Sequence, residues 1–266
     1  MKSNIILFIL MALQIFLNCR VDSEMKSIRH LGDYVQISLA VEELDSSLSF
    51  YKKLGFTEIE IKRETQIPWA IITDGFNIFM LSQNDFPSPT FTYYGRDGEK
   101  RIQVFQNRGL LFHKIFKSPA GNVTALTADP NGLNLTLIDF NSSKLPTTSG
   151  VPDNIIGKFS QLAIPSKDLQ ESLQFWQKAG FTLLENQAKY AKLSDNLITI
   201  GLYQNQEMDY KILIYHSQDL KKVRKNILDA GISLENAYPE KNDLISFQSP
   251  DGQKIIIKSG ELGLVF

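Results

Sequence analysis

The sequence predicts an α+β chain of two similar domains, each assembled from two βαβββ modules. Three observations carry this. The stretch from Tyr34 to Glu58 recurs without a gap 125 positions later, from Phe159 to Leu183. In that alignment Gln36 meets Gln161, Leu44 meets Leu169, Ser47-Leu48 meets Ser172-Leu173, and Gly55-Phe56-Thr57 meets Gly180-Phe181-Thr182. Each copy also ends in a turn motif followed by an apolar run, Asp129-Pro-Asn-Gly132 and Ser249-Pro-Asp-Gly252. Finally, the hydrophobic period switches from two to 3.6 and back within each copy, the alternation expected of strand, helix and strand. A chain of 266 residues has room for two domains of ordinary size.

The elements follow in order. From Tyr34 to Val41, Ile37, Leu39 and Val41 alternate with Gln36, Ser38 and Ala40, which is the pattern of a half-buried strand. Leu44, Leu48, Tyr51 and Leu54 then fall at helical spacing, and Gly55 ends the helix where a positive φ is easiest. Residues 56–62, 70–73 and 77–81 read as three strands. The unit repeats with a strand at 90–94, a helix at 97–108 closed by Gly109, and strands at 111–117, 122–128 and 133–140. In the second copy the later module has a strand at 211–215, a helix at 219–230 closed by Gly231, and strands at 232–235, 244–248 and 254–258.

Ahead of the repeats, Lys2 precedes an apolar run from Ile5 to Leu17 broken only by Gln14. Thirteen residues of helix rise about 20 Å, short of the roughly 30 Å bilayer core. The run therefore suits a signal-peptide core, not a membrane span. It leads into Phe16-Leu17-Asn18-Cys19, which resembles a relaxed bacterial lipoprotein box in which Cys19 is lipidated. The other reading is an ordinary secretory peptide with Cys19 as an incidental thiol. The boundaries that follow are a signal peptide at 1–18, a tether at 19–32, domain one at 33–141 and a Ser/Thr/Pro/Gly-rich linker at 142–156. Domain two then covers 157–260 and a tail covers 261–266.

Composition narrows the function. With 28 Lys plus Arg against 29 Asp plus Glu, the net charge of -1 gives no field to attract nucleic acid. One cysteine excludes an internal disulfide and a CxxC centre, and three histidines, His30, His113 and His216, limit any imidazole site. All three read as exposed strand-end or loop residues. Lys221, Lys222, Arg224 and Lys225 read as a solvated helix face. No nucleophile elbow, phosphate loop or dinucleotide fingerprint is present.

The run from Leu44 to Phe56 and the Asp-Pro-Asn-Gly turn before a last strand resemble the vicinal-oxygen-chelate superfamily. That superfamily includes glyoxalase I, extradiol dioxygenases and bleomycin-binding proteins. The resemblance implies that each domain pairs two modules into an eight-stranded curved sheet around a cleft. It also implies metal-ligand positions on the first, fourth, fifth and eighth strands. Here those positions hold Gln36, Met80, Thr90 and Thr136, and in the second domain Gln161, Gly201, Ile212 and Ile256. An amide, a thioether and two hydroxyls are poor donors for zinc, iron or manganese, so no metal cofactor is expected.

Without a metal, the face carrying Gln36 still offers Ser38, Met80, Thr90, Thr92, Tyr94, Asn134 and Thr136, a set suited to holding a small polar molecule. The expectation is a membrane-anchored, metal-free binding protein of the cell envelope, with the ligand in the domain-one cleft. The alternatives are a metalloenzyme of glyoxalase or dioxygenase type with relocated ligands, and a structural envelope lipoprotein whose cleft is closed.

Overall fold

The computed structural model describes residues 28–140, 154–205, 208–235 and 243–260. Cys19, the expected signal segment, the expected tail and most of the expected linker lie outside the described residues.

The first domain runs β1 (Tyr34–Ala40), α1 (Leu44–Lys53), β2 (Thr57–Lys62), β3 (Trp69–Thr73), β4 (Ile78–Ser82), β5 (Thr90–Gly95), α2 (Gly98–Asn107), β6 (Lys114–Lys117), β7 (Val123–Ala128) and β8 (Asn134–Asp139). Its eight strands form one sheet in the order β2-β3-β4-β1-β5-β8-β7-β6. The second domain runs β9 (Lys158–Pro165), α3 (Leu169–Lys178), β10 (Thr182–Gln187), β11 (Tyr190–Ser194), β12 (Thr199–Tyr203), β13 (Ile212–His216), α4 (Leu220–Asp229), β14 (Leu244–Gln248) and β15 (Lys254–Lys258). Its sheet has seven strands among the described residues, in the order β10-β11-β12-β9-β13-β15-β14.

The expected eighth strand, at 232–235, is therefore not formed. That segment is held as extended chain by a bond from Glu235 N to Ser246 O, and one bond does not make a ladder. In the first domain β6 starts at Lys114 and not at Leu111, because pairing with β7 begins opposite Leu126.

Period-two alternation decides which face does what. Ile37, Leu39, Phe79, Leu81, Phe91, Tyr93, Leu135 and Leu137 are all buried on one face, under α1 and α2. That core continues without a break into the second domain, where Trp176 of α3 packs edge-on against Phe91 at 6.4 Å and Phe181 at 4.7 Å. The two domains thus share one hydrophobic core.

Polar contacts across this boundary come in reciprocal pairs. The Tyr93 hydroxyl donates to Asp195 Oδ2 at 2.9 Å, and the Tyr215 hydroxyl donates to Asp74 Oδ2 at 3.0 Å. Asn131, in the first Pro-containing turn, donates to Ser172 of α3, and Ser47 of α1 donates to Asp251 of the second such turn. The repeated serines and turns are thus the places where the copies meet. Chain ends are exchanged in the same way. Arg29 lies against Gly180 and Asn154 against Gly55, at positive φ of 93° and 89°, where a Cβ would collide with the incoming backbone. The last residues of the expected tether and linker are consequently packed: Leu31 and Ile156 are buried, and Asn154 donates to Asp74 O at 2.6 Å.

Candidate functional site

The opposite face of the first sheet is concave and polar. Cross-strand register lines up Gln36, Thr92, Thr136, Leu126 and Lys114 in one row, and directly paired residues share a face. In the next row Ser38 stands between Met80 and Thr90. These rows floor a cavity of about 600 Å³. Six of the eight sequence-derived candidates line it: Ser38, Met80, Thr90, Thr92, Asn134 and Thr136.

The other two do not reach it. Tyr94 stacks between Tyr34 and Phe140, at 5.8 and 5.7 Å, and these three rings fill the far end of the concave face. Burial raises the pKa of both the Tyr34 and Tyr94 phenols, which disfavours their ionisation. Gln36 lies between plug and cavity, 2% exposed, its amide donating to Ser38 Oγ at 3.4 Å. Ser38 Oγ in turn stands 3.5 Å from the Thr92 hydroxyl. The Thr90 hydroxyl donates sideways to Asn134 O at 2.6 Å, which leaves it an acceptor toward the cavity.

Further lining comes from Ser82, Asn84, Phe86, His113, Lys114 and Leu126. Alternation along β4 extends to Ser82 and along β7 to Leu126, so both were within reach of the sequence. Phe86 belongs to a loop, and His113 with Lys114 marks the entry to the edge strand, where periodicity says little. His113 is exposed as expected, whereas His30 and His216 are half-buried with Nδ1 shielded and without a hydrogen-bond partner among the described residues.

The equivalent space in domain two is filled. Gln161 is 1% exposed and sits between two phenols, donating to Tyr203 Oη at 2.6 Å and accepting from Tyr190 Oη at 3.1 Å. Met208, Ala163, Ile212, Ile214 and Ile256 complete an apolar cluster around the tyrosines. Burial pushes the Tyr190 phenol up to about 12. The difference between the domains runs across the whole face, where Gly201, Ala163, Ile212, Ile214, Ile256 and Tyr203 stand in place of Met80, Ser38, Thr90, Thr92, Thr136 and Ser82. Ser82 pairs beside Ala40 in β4, and Tyr203 pairs beside Pro165 in β12. Gln161→Ala would remove the amide from both phenols, with an expected loss of roughly 1–3 kcal/mol in urea denaturation. Gln36→Ala, which breaks one long bond, is expected to lose less than half as much.

The donor set does not fit a divalent metal. The cavity floor offers hydroxyls, an amide and a thioether, with the His113 imidazole at the rim. Among the described residues no three His, Cys, Asp or Glu side chains come together to hold a metal ion.

No family model and no curated protein matches the chain. Solved structures do match. The 2,3-dioxygenase LapB from Pseudomonas sp. KL28 aligns at a TM-score of 0.57 and 11% identity, over 87% of this chain and 92% of that one. A Mn(II)-bound glyoxalase from Novosphingobium aromaticivorans aligns at 0.54 and 15% identity, over 86% and 81%. A mutant of 4-hydroxymandelate synthase from Streptomyces coelicolor aligns at 0.55 and 12% identity, over 88% and 94%. At these identities the likeness is one of architecture. With paired βαβββ modules in the first domain and the same strand order in the second, one strand fewer among the described residues, the chain has the vicinal-oxygen-chelate fold in two tandem domains.

Proposed function

We propose that this protein is a metal-free binding protein that holds a small polar ligand in the first-domain cleft, with the second domain as its rigid packing partner. The observation that carries the reading is the contrast between the two concave faces. One is an open cavity of about 600 Å³ floored by hydroxyls, and the other is filled by Tyr190 and Tyr203. A few placed polar groups in a partly apolar cavity is the usual make-up of a small-molecule site.

A thermal-shift screen of the whole chain against metabolites tests this. A ligand at 100 times its dissociation constant adds about 2.7 kcal/mol of stability, a rise in Tm on the order of 5–10 °C for a chain of this size. Pairing Thr92→Val with Thr136→Val is expected to abolish the shift. A screen without any shift favours a structural role. Stoichiometric iron, manganese, nickel or zinc in the purified protein overturns the metal-free reading and favours an enzyme with relocated ligands.

The same proposal places the protein at a membrane through lipidation of Cys19, supported by the position of that cysteine at the end of the Ile5–Leu17 apolar run. The several chains of a lipoprotein anchor hold stably where one chain holds weakly. Cys19→Ala is expected to move the protein to the soluble fraction or leave an unprocessed precursor. Identical detergent partitioning of parent and variant would refute the anchor.

A further inference from the structure

We infer that the ligand of the first-domain cleft is a small organic anion with an apolar body, its acid group set against Lys114. The inference rests on the binding role proposed above and adds the ligand's charge and polarity.

Charge is the first observation. None of the residues lining the cavity is Asp or Glu, and the one permanent charge among them is Lys114. Pairing of Lys114 with Leu126, and of Leu126 with Thr136, puts the lysine on the concave side, at the end of the Thr92–Thr136 hydroxyl row. Its Nζ sits over the Phe116 ring, 4.6 Å from the centroid, and it is in no ion pair among the described residues. The ammonium is therefore held at the mouth without a carboxylate to neutralise it. An acid group there accepts from the ammonium, and the Thr136 hydroxyl, next in the row beyond Leu126, offers a further donor.

Shape and polarity are the second. Met80, Phe86 and Leu126 supply apolar wall beside this polar row, so the remainder of the ligand is apolar. The groove on the other side of the 83–89 loop has the opposite character. It carries Glu42, Asp85, Asp209 and Asp251 around Lys211, and an anion is repelled from it. The two neighbouring recesses thus sort ligands by sign of charge.

The test uses three probes of one shape: phenylacetate, phenylacetamide and phenethylamine. Binding to the full chain is followed by the NMR signal of the Met80 methyl. Phenylacetate is expected to bind about fivefold tighter than the amide, the scale of a partly exposed charge pair, and the amine weakest. Raising salt is expected to narrow the gap. Lys114→Met is expected to erase it and Lys114→Arg to keep it, both without changing Tm, since the side chain is exposed. Equal binding of acid and amide, or a gap that survives Lys114→Met, overturns the charge assignment while the cleft remains a binding site. If no probe moves Met80 at millimolar concentration, the binding role itself falls.

Discussion

Replacing Trp176 by alanine is expected to lower the unfolding free energy by about 3–5 kcal/mol and to loosen both domains together. The indole is fully buried and lies between Phe91 of the first domain and Phe175 and Phe181 of its own. Removing it opens a cavity in the core the domains share. Urea denaturation of the full chain measures the loss. Amide exchange shows where it falls, with β5 expected to lose protection alongside α3. Trp176→Phe is expected to lose far less. A ring still fills most of the space, and the indole N–H has no hydrogen-bond partner among the described residues, so its removal strands nothing. Loss of protection confined to the second domain would mean that the two cores are energetically separate.

Asp195→Asn is expected to gain stability relative to the parent chain as pH rises from about 4. The carboxyl is nearly solvent-free. Desolvation raises its pKa above the ordinary 3.8, against bonds from Ile198 N, the Tyr93 hydroxyl and Leu197 N that lower it. An acid whose folded pKa lies above its unfolded one favours the fold while protonated. That contribution is complete below the unfolded value and is lost as pH rises through the folded one. Asparagine keeps an acceptor for the two backbone N–H groups, and its amide can donate to the Tyr93 oxygen, without the charge. The difference between variant and parent, from urea melts at pH 4 and pH 7, should therefore favour the variant more at pH 7. Asp74, held by the same turn geometry and by Tyr215, is expected to behave alike. A parent that gains on the variant as pH rises would show that the bonds to the ionised carboxylate outweigh its burial.

The modular fold was readable because the repeat fixes the position of each element twice. Tyr34–Ala40 and Lys158–Pro165 are both strands, and the helices end at Gly55, Gly109, Gly180 and Gly231 at positive φ as read. The failed strand at 232–235 shows the limit. Ile232 and Leu234 alternate as strand residues do, but alternation reports a buried face and not whether a ladder forms. β14 is an edge strand among the described residues, yet only Glu235 N is seen to bond to it. The concave face was legible for the same reason, through Ser38, Thr90, Thr92 and Thr136. What period two cannot show is how far a cavity extends along a face. Gln36 and Tyr94 lie on the right side, but the rings of Tyr34, Tyr94 and Phe140 close their end of it. The repeated glutamine was the least informative residue. In one copy it donates to a serine and in the other it is clamped by two phenols, and the residues that set this, among them Tyr203 in place of Ser82 and Gly201 in place of Met80, lie on other strands.

The exchanged chain ends have a consequence for how the protein holds together. Arg29 docks on the helix end of the second domain and Asn154 on that of the first. Each half is completed by a piece of the other, as in a dimer that has traded its arms. The two sets of contacts are laid out as they would be between separate copies. Covalent continuity adds proximity to these contacts. Because both halves lie on one chain, joining them is an intramolecular folding step and not an encounter in solution.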